Sequence, residues 1–284
     1  MTKNSNRAFD ILGNIALVKF PRNAKIKYKK QFAESILSKN KSITTVLEKT
    51  GKFRGRLRKQ ETKYLAGIKT KEAVYKENGC VFRFNVDKAY FSSRLSNERK
   101  EICQKIKKGE EVLVMFAGVA PYSVVIAKNS QAKMVYSNEI NKEANKYGKL
   151  NAELNNVKNR IIFLDGDIKR VAEKIAKKKV SVNAKNVNSL KISSGYNIPT
   201  KFDSIIMPRP QLKDSFLKEA FKLSKKGTKI YYYDFCKEDE IKEVINKVKS
   251  EAVKYKHKIK ILKVKKAGEI APYRYRIRVD FRVL

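Results

Sequence analysis

Three stretches of the chain place glycine or acidic residues directly after short apolar runs. The first, Glu111–Ser123 (EVLVMFAGVAPYS), contains the apolar run 112–116, a turn at Gly118 and then an apolar, helix-like stretch. Such a run is typical of a strand that is buried on both faces of a parallel sheet. A tight glycine turn before a helix lets a ligand approach the backbone, where the first-turn N–H groups are unpaired. The stretch therefore predicts a ligand cradle.

The next two predicted strands end in acidic residues. Strand 133–137 continues into Asn138–Asn141, so that Glu139 follows the glycine turn by about twenty residues, the spacing at which α/β nucleotide-binding folds place a carboxylate on ribose hydroxyls. The predicted strand 160–164 ends in Asp165-Gly166-Asp167. Since only Gly118 is present, the turn lacks the GxGxxG dinucleotide fingerprint. It suits S-adenosylmethionine better than NAD.

The remaining pattern predicts a seven-stranded, Rossmann-like α/β sheet of the class I methyltransferase type. Its further elements are helix 168–178, strand 202–207, helix 211–223 ended by Gly227, strand 229–235, helix 237–254, and the antiparallel pair 259–264 with 273–283. Residues 1–92 show short alternating strands (9–20, 42–50 and 80–90) and one helix over 24–37. We therefore expect a small basic α+β domain at 1–92, followed by the methyltransferase domain at 93–284. Ser96 is the expected N-cap of the helix that links them.

The chain is strongly basic, with 66 Lys+Arg against 28 Asp+Glu and a formal charge of +38. This excess favours a nucleic acid partner, although a lysine-biased proteome would contribute to it. Residues 174–201 contain seven lysines and no acid, which predicts a basic insertion. A solvated surface excursion and an RNA-contacting arm are equally good interpretations of that insertion.

Several function classes are excluded by what the sequence does not contain. No apolar run approaches membrane-spanning length, and the polar N-terminus has no signal-peptide core. With His257 as the only histidine, we expect neither a histidine-based metal site nor a Ser-His-Asp triad, and the three widely spaced cysteines argue against a disulfide frame or a zinc site. The cysteines indicate reduced, mostly buried thiols. We expect a cytoplasmic monomer that binds no metal and no membrane.

A set of interlocking motifs runs over nearly the whole chain. It comprises Phe9–Ala16 (FDILGNIA), Glu77–Cys80 (ENGC), Tyr90–Ser92 with Arg94–Ser96 and Glu98-Arg99, Met115–Val119 (MFAGV), Tyr232–Phe235 (YYDF) and Ala271-Pro272. With these motifs the chain resembles the archaeal and eukaryotic tRNA (guanine-37 N1)-methyltransferase family and its relatives in the wyosine pathway. The resemblance implies transfer of a methyl group from S-adenosylmethionine to N1 of the guanosine 3′ of the anticodon.

The resemblance also implies roles for individual residues. The methionine and sulfonium side of the donor would be lined by Phe116, Gly118, Pro121 and Tyr122. Glu139, with Ile140 beside it, would hold the ribose, and Asp167 with Ile168 would frame the adenine. Arg94 would donate to the guanine O6, and Pro210 would lie beside the target base in the position of the family's Asn-Leu-Pro or Asn-Pro-Pro motif.

The chain departs from the family pattern at two sites. Val114 replaces the acid that usually opens the glycine-turn motif, and Pro208-Arg209-Pro210 lacks the usual asparagine. Two alternatives therefore remain: a wyosine-pathway enzyme that transfers an aminocarboxypropyl or methyl group at the same tRNA position, and a non-catalytic RNA-binding homologue. Since the resemblance begins at the family's second domain, we also expect methylation of short anticodon stem-loops.

Overall fold

The computed structural model describes residues 9–51, 60–178, 198–208 and 214–284. The chain divides into two compact units, Met1–Ser93 and Arg94–Leu284. Each unit has its own sheet and its own apolar core.

The first unit is built on a four-stranded sheet with one helix. The strands are β1 (Phe9–Leu12), β2 (Ile15–Val18), β3 (Thr45–Lys49) and β4 (Thr62–Gly67), in that spatial order. β2 and β3 run parallel, and helix α1 (Ile26–Lys39) connects them. The apolar face of α1 buries Ala33 and Ile36 in the core, together with β2 and β3 side chains. A separate hairpin is formed by β5 (Glu72–Glu77) and β6 (Cys80–Asn85).

The turn between β1 and β2 shows why this unit needs the dipeptide Gly13-Asn14. Gly13 has a positive φ of 59°, and a Cβ at this position would lie 1.9 Å from the carbonyl oxygen of Val74. The Asn14 side chain accepts a hydrogen bond from the Val74 N–H (2.7 Å) and donates one to Thr44 Oγ1 (3.3 Å). The turn thereby fastens the β1–β2 hairpin to β5, which any side chain at position 13 would prevent.

The second unit contains the predicted seven-stranded sheet. In chain order its elements are α2 (Ser96–Lys105), β7 (Glu111–Val114), α3 (Pro121–Asn129), β8 (Met134–Glu139), α4 (Lys142–Leu154), β9 (Ile161–Asp165), α5 (Ile168–Ala176), β10 (Phe202–Met207), α6 (Leu217–Lys222), β11 (Ser224–Lys237), α7 (Ile241–Lys254), β12 (Ile259–Ala271) and β13 (Arg274–Val283). The spatial order is β12-β13-β11-β10-β7-β8-β9. The five strands from β11 to β9 are parallel to one another. Strand β13 is antiparallel to both of its neighbours, β11 and β12.

Helices cover both faces of this sheet, as the continuous apolar strands require. Helices α2 and α3 pack on each other, and α3 also contacts β8 and α4. Helix α6 packs between α5 and α7. In β7 the side chains of Val112, Leu113 and Val114 are completely buried. The carboxyl ends of β7, β8, β9 and β10 therefore meet at one edge of a rigid, buried platform, where α/β proteins bind ligands.

Three local predictions were wrong. Gly227 does not end a helix, because it lies inside β11 with φ of 92°. The register between β10 and β11 shifts there, and Thr228 Oγ1 both accepts from the Lys225 N–H (2.9 Å) and donates to the Phe202 carbonyl (2.6 Å). The glycine thus serves a bulge in the strand. Ser96 is the first residue of α2, and Leu95 takes the N-cap position without a side-chain cap.

The third wrong prediction is the length of the helix after β10. Helix α6 begins at Leu217 and not at position 211, and its N-cap residue, Phe216, has a left-handed backbone. Most of the predicted basic insertion at 174–201 lies outside the described residues. All three cysteines lie within the described ranges; they are buried, and none forms a disulfide.

Within the ranges that the structure describes, no helix is both long enough and apolar enough to cross a membrane. The same ranges contain no group of three or more His, Cys, Asp or Glu side chains arranged to hold a metal ion.

Candidate active site

Hydrogen bonds join the loops that leave β7, β8 and β9 into one frame. The Ala117 N–H donates to the Asn138 carbonyl (2.8 Å), and the Gly166 N–H donates to the Glu139 carbonyl (2.9 Å). The Asn138 side chain donates to the carbonyls of Leu164 (2.7 Å) and Gly166 (3.0 Å). The three stretches singled out in the sequence therefore come together at the carboxyl edge of the sheet. Asn138 was not assigned a role from the sequence, although it lies in the acidic strand end that was.

The turn after β7 uses an alternating left-handed backbone. Phe116, Gly118 and Ala120 have φ values of 56°, 60° and 63°. For the two non-glycine residues this conformation costs roughly 1–2 kcal/mol each. Helix α4 packs closely under the turn, because a Cβ at Gly148 would lie 3.3 Å from Ala120 Cβ and 2.9 Å from the Phe163 ring. Pro121 then begins α3 as its first residue, where its missing N–H costs nothing.

Glu139 is the residue that holds this turn in place. Its side chain is buried, with 7% of the residue exposed. Oε2 accepts from the Gly118 N–H (2.8 Å), and Oε1 accepts from the N–H groups of Ile140 (2.9 Å) and Asn141 (2.8 Å). A carboxylate offers about four acceptor positions, so these three bonds leave room for one further donor such as a ribose hydroxyl. The remaining acceptor position on Glu139 therefore fits a hydroxyl of a nucleoside at this edge.

The loop after β9 offers an open surface beside Glu139. Asp167 caps α5 by accepting the Lys169 N–H on Oδ1 (3.0 Å), and Ile168 is buried in the core beneath it. Gly166 has φ of 117°, and the space that its Cβ would occupy contains no atom within 4 Å. A flat ligand can therefore reach the backbone between β9 and α5.

Aromatic side chains form the wall on the β10 side. The half-buried Phe116 ring meets the Phe216 ring edge to face, with centroids 5.1 Å apart. The Lys169 ammonium lies 5.3 Å from the Phe216 ring centroid and pairs with Asp214 at 2.5 Å. The sequence did not single out Phe216, because a lone phenylalanine in an apolar helix carries no distinguishing signal. Pro210, expected on this side, lies outside the described residues.

Tyr122 takes part in a hydrogen-bonded network beneath the turn. Its hydroxyl donates to the Tyr233 hydroxyl (3.2 Å), and Tyr233 donates to Glu98 (3.1 Å). Burial raises the pKa of both tyrosines, which keeps them neutral hydrogen-bond donors. The Arg99 guanidinium lies 5.8 Å from the Tyr122 ring centroid. The structure thus places the Tyr122 side chain in the interior and the half-buried Phe116 and Pro121 at the surface of the turn.

The network ends in a buried ionic cluster on β13. The fully buried Arg278 pairs with Glu98 and Glu101 at 2.5 Å and with Asp280 at 2.6 Å. Lys265 pairs with Glu98 at 2.5 Å and also with Glu101, and Lys105 lies 3.4 Å from Asp280. Lys263 also lies 4.0 Å from Glu101, so cations fully balance the three carboxylates. Burial opposes ionisation of Glu101, but hydrogen bonds from Arg278 and Lys265 lower its pKa to about 2.

Two further residues from the sequence analysis have defined positions. Arg94 lies in a single 3₁₀ turn, Ser93–Leu95, directly before α2, and its side chain is exposed while Leu95 is buried. Val114 is fully buried between Ile206 of β10 and Ser137 of β8. An apolar residue therefore stands in the middle of the sheet where the family usually has an acid.

Comparison with known proteins identifies the family of the chain. Residues 73–191 match the TRM5/TYW2 methyltransferase domain, and residues 1–70 match the TYW2 N-terminal domain. The tRNA (guanine(37)-N(1))/4-demethylwyosine(37)-methyltransferase Taw22 of Nanoarchaeum equitans is 33% identical, over 98% of this chain and 100% of that protein. The crystal structure of Trm5b from Pyrococcus abyssi is 32% identical with a TM-score of 0.79, over 97% of this chain and 74% of that chain.

The structure of a complex of aTrm5 and tRNALeu is 25% identical, with a TM-score of 0.77, over 98% of this chain and 72% of the protein chain. The likeness to Taw22 runs end to end. The chain belongs to the TRM5/TYW2 methyltransferase family.

Proposed function

We propose that this protein methylates N1 of guanosine 37 in tRNA and takes the methyl group from S-adenosylmethionine. The observation that carries the proposal is the Glu139 carboxylate, which is fixed by three backbone N–H groups at the joined carboxyl ends of β7, β8 and β9. A relative that matches this chain from end to end bears that activity in its name.

The residues at this edge suit the parts of the donor. Glu139, with Ile140 next to it, would accept a ribose hydroxyl, and the surface at Asp167 and Ile168 would take the adenine. The turn at Phe116, Gly118 and Pro121 would contact the methionine and sulfonium side, with Tyr122 supporting it from beneath. When bound, S-adenosylmethionine supplies an electrophilic methyl group. The buried Glu139 carboxylate favours the positive sulfonium over an anionic ligand at this edge.

The nucleophile needs its own assistance, because guanine N1 carries a proton at neutral pH. Loss of that proton moves negative charge onto O6, where a positioned guanidinium stabilises it. We assign this role to Arg94, whose exposed side chain precedes α2. A carboxylate or a water molecule must accept the proton. We assign Pro210 to the neighbourhood of the target base, and the basic unit 1–92 to binding of the anticodon stem-loop by a monomeric enzyme.

Methylation of 4-demethylwyosine at the same tRNA position is a second candidate. The name of the Nanoarchaeum equitans relative joins both activities in one protein, and the likeness to it covers that whole protein. Both reactions would use the same S-adenosylmethionine site, so an assay distinguishes them only by comparing tRNAs that carry the two different bases at position 37.

The test is incubation with isotopically labelled S-adenosylmethionine and one of three tRNAs: a transcript with guanosine 37, the same transcript with adenosine 37, and tRNA carrying 4-demethylwyosine. Nucleosides from the digests are identified by mass spectrometry. We expect labelled 1-methylguanosine from the guanosine 37 transcript and none from the adenosine 37 transcript. Absence of label in all three tRNAs, or the mass of an aminocarboxypropyl group, would contradict the proposal.

Arg94 is tested in the same assay. Arg94→Ala should lower the methylation rate by about 100-fold with little change in donor affinity, because the guanidinium acts on charge that develops at O6. Lys100→Ala, which removes an exposed cation from the following helix α2, is the matched control and should retain the rate. Equal rates for the two variants would remove Arg94 from the mechanism.

A further inference from the structure

A concave site lies at the amino edge of the seven-stranded sheet, opposite the carboxyl edge that carries Glu139. It is a cavity of about 450 Å³ where the last turns of α5, α6 and α7 meet the start of β10. The residues that matter to its chemistry are four lysines and two stacked rings, namely Lys178, Lys201, Lys218, Lys222, Phe221 and His257. Lys178 and Lys201 come from the described ends of the basic segment 174–201.

The charge of this pocket is one-sided. Among the described residues that line it there are four lysines and no carboxylate. In a chain with 66 basic and 28 acidic residues out of 284, nine lining residues would contain about two basic and about one acidic residue by chance. Lysine is therefore concentrated here beyond the chain average.

Part of this positive charge is used by the fold. Lys222 pairs with Glu173, and Lys201 donates to the Lys222 carbonyl at the end of α6 (2.8 Å). Each of the three helix ends also carries about half a negative charge. The positive charge of the four ammonium groups still exceeds the negative charge of one carboxylate and three helix ends, so the pocket keeps a net positive charge. The side chains of Lys178 and Lys218 are exposed, so they can move toward a ligand.

The pocket also contains the only histidine of the sequence. The His257 ring stacks on the buried Phe221 ring, with centroids 4.9 Å apart and planes 16° from parallel. Burial, followed by the charge of Lys201, lowers the pKa of His257. An anion in the pocket would oppose the effect of the lysines and make the imidazolium easier to form.

We propose that this pocket binds phosphate groups of the RNA backbone, as a second anchoring point for the tRNA on the edge of the sheet that faces away from the donor. The identification of the RNA as tRNA rests on the proposed function. The phosphate chemistry rests only on the pocket. A polyanion needs such an anchor, because its affinity comes mainly from contacts between lysines and phosphates.

The first experiment measures tRNA binding. In the double variant Lys178→Ala/Lys218→Ala we expect about 10-fold weaker binding of an unmodified tRNA transcript. The slope of log affinity against log salt concentration should fall by the amount that corresponds to about two phosphate contacts. The matched control is Lys242→Ala/Lys249→Ala on α7, which removes the same charge from exposed positions that do not line the pocket. An equal loss of affinity in both double variants would overturn the proposal, because it would show a general charge effect.

The second experiment uses His257 as a reporter. The pKa of its imidazole is followed by NMR in the free protein, with the tRNA transcript, and with inorganic phosphate alone. We expect tRNA to raise the pKa in the wild-type protein, and to raise it less in Lys178→Ala/Lys218→Ala. An unchanged pKa with tRNA would overturn the proposal. A rise with inorganic phosphate only would also overturn it, because it would assign the pocket to a small free anion.

Binding of S-adenosylhomocysteine and methylation of the transcript are measured in parallel. If the protein fails to methylate guanosine 37 but its tRNA affinity depends on Lys178 and Lys218, the proposed function fails and the anchoring site stands. If methylation occurs and the two double variants bind tRNA alike, the proposed function stands and the anchoring site fails.

Discussion

The two edges of the seven-stranded sheet differ in the sign and the burial of their charged side chains. Near the carboxyl edge three acidic groups are buried and held by partners: Glu139 by backbone N–H groups, and Glu98 and Asp280 by Arg278. At the amino edge, lysines line an open cavity and no carboxylate is found among the described lining residues. The carboxyl edge contains a buried carboxylate, Glu139, that backbone N–H groups hold, and the amino edge presents positive charge to solvent.

This difference suggests a division of labour within one domain. The Glu139 carboxylate suits a nucleoside hydroxyl and a sulfonium cation, but it repels phosphate. An enzyme that modifies a base within a polyanion must therefore hold the backbone of that polyanion elsewhere. The predictions that follow alter the charges at the carboxyl edge, from the largest expected effect to the smallest.

Arg278→Met should have the largest effect on stability. It leaves Glu98 and Asp280, which are 4% and 2% exposed, without their main cation. Removal of one partner from a buried ionic cluster typically costs about 3–5 kcal/mol of unfolding free energy. Chemical denaturation followed by circular dichroism measures the loss. Arg282→Met, an exposed position on the same strand, is the control and should change the stability by less than about 0.5 kcal/mol. Similar losses in both variants would contradict the account of the cluster.

Glu101→Gln should destabilise the protein in a pH-dependent way. The pKa of Glu101 is about 2 in the folded protein, below its ordinary value of 4.5, so its ionised form stabilises the fold above pH 4.5. That contribution is lost as the pH falls from 4.5 through 2. We expect a cost of about 2 kcal/mol at pH 7 after allowance for solvent screening, and almost none near pH 2. Urea unfolding of wild-type protein and variant at pH 7, 5 and 3 measures it; a difference independent of pH would be the contrary result.

Glu219→Gln should have a smaller and opposite effect. Glu219 in α6 is 7% exposed, its Oε2 has no hydrogen-bond partner, and burial raises its pKa. An acid with a raised pKa destabilises the fold once the pH exceeds its ordinary value. The variant should therefore be more stable than wild type at pH 7, by about 1 kcal/mol, and equal to it below pH 4. A thermal melt at both pH values checks this, and a lower melting temperature at pH 7 would refute it.

Much of this architecture could be predicted from the sequence, because it follows from local patterns. The apolar run Val112–Phe116 and the segment Phe202–Met207 are long enough and rich enough in apolar residues to identify strands of a buried parallel sheet. Gly118, Glu139 and Asp167 follow such runs directly, so the topology of the sheet brings them to one edge. The charge excess of the chain was likewise visible without a structure.

The parts that could not be predicted depend on contacts between distant residues. Gly227 looked like a helix terminator, but pairing of β11 with β10 across a bulge decides its conformation. Arg278 lies 180 residues from Glu98 in the chain, and no sequence pattern near either residue indicates that they pair. The Tyr122 hydroxyl bonds to Tyr233, 111 residues away, and no local pattern indicates that contact. The amino-edge pocket combines residues from three helices and was not recognised.

The most direct test of the central claim is calorimetric titration of S-adenosylhomocysteine into wild-type protein, Glu139→Ala and Glu153→Ala, the last an exposed glutamate of α4. Loss of a charged hydrogen-bond acceptor for the ribose, together with loosening of the Gly118 turn, should weaken binding about 100-fold in Glu139→Ala. Glu153→Ala should bind like wild type, and both variants should retain their affinity for tRNA. Equal affinity of all three proteins for S-adenosylhomocysteine would contradict the placement of the donor at the carboxyl edge of the sheet.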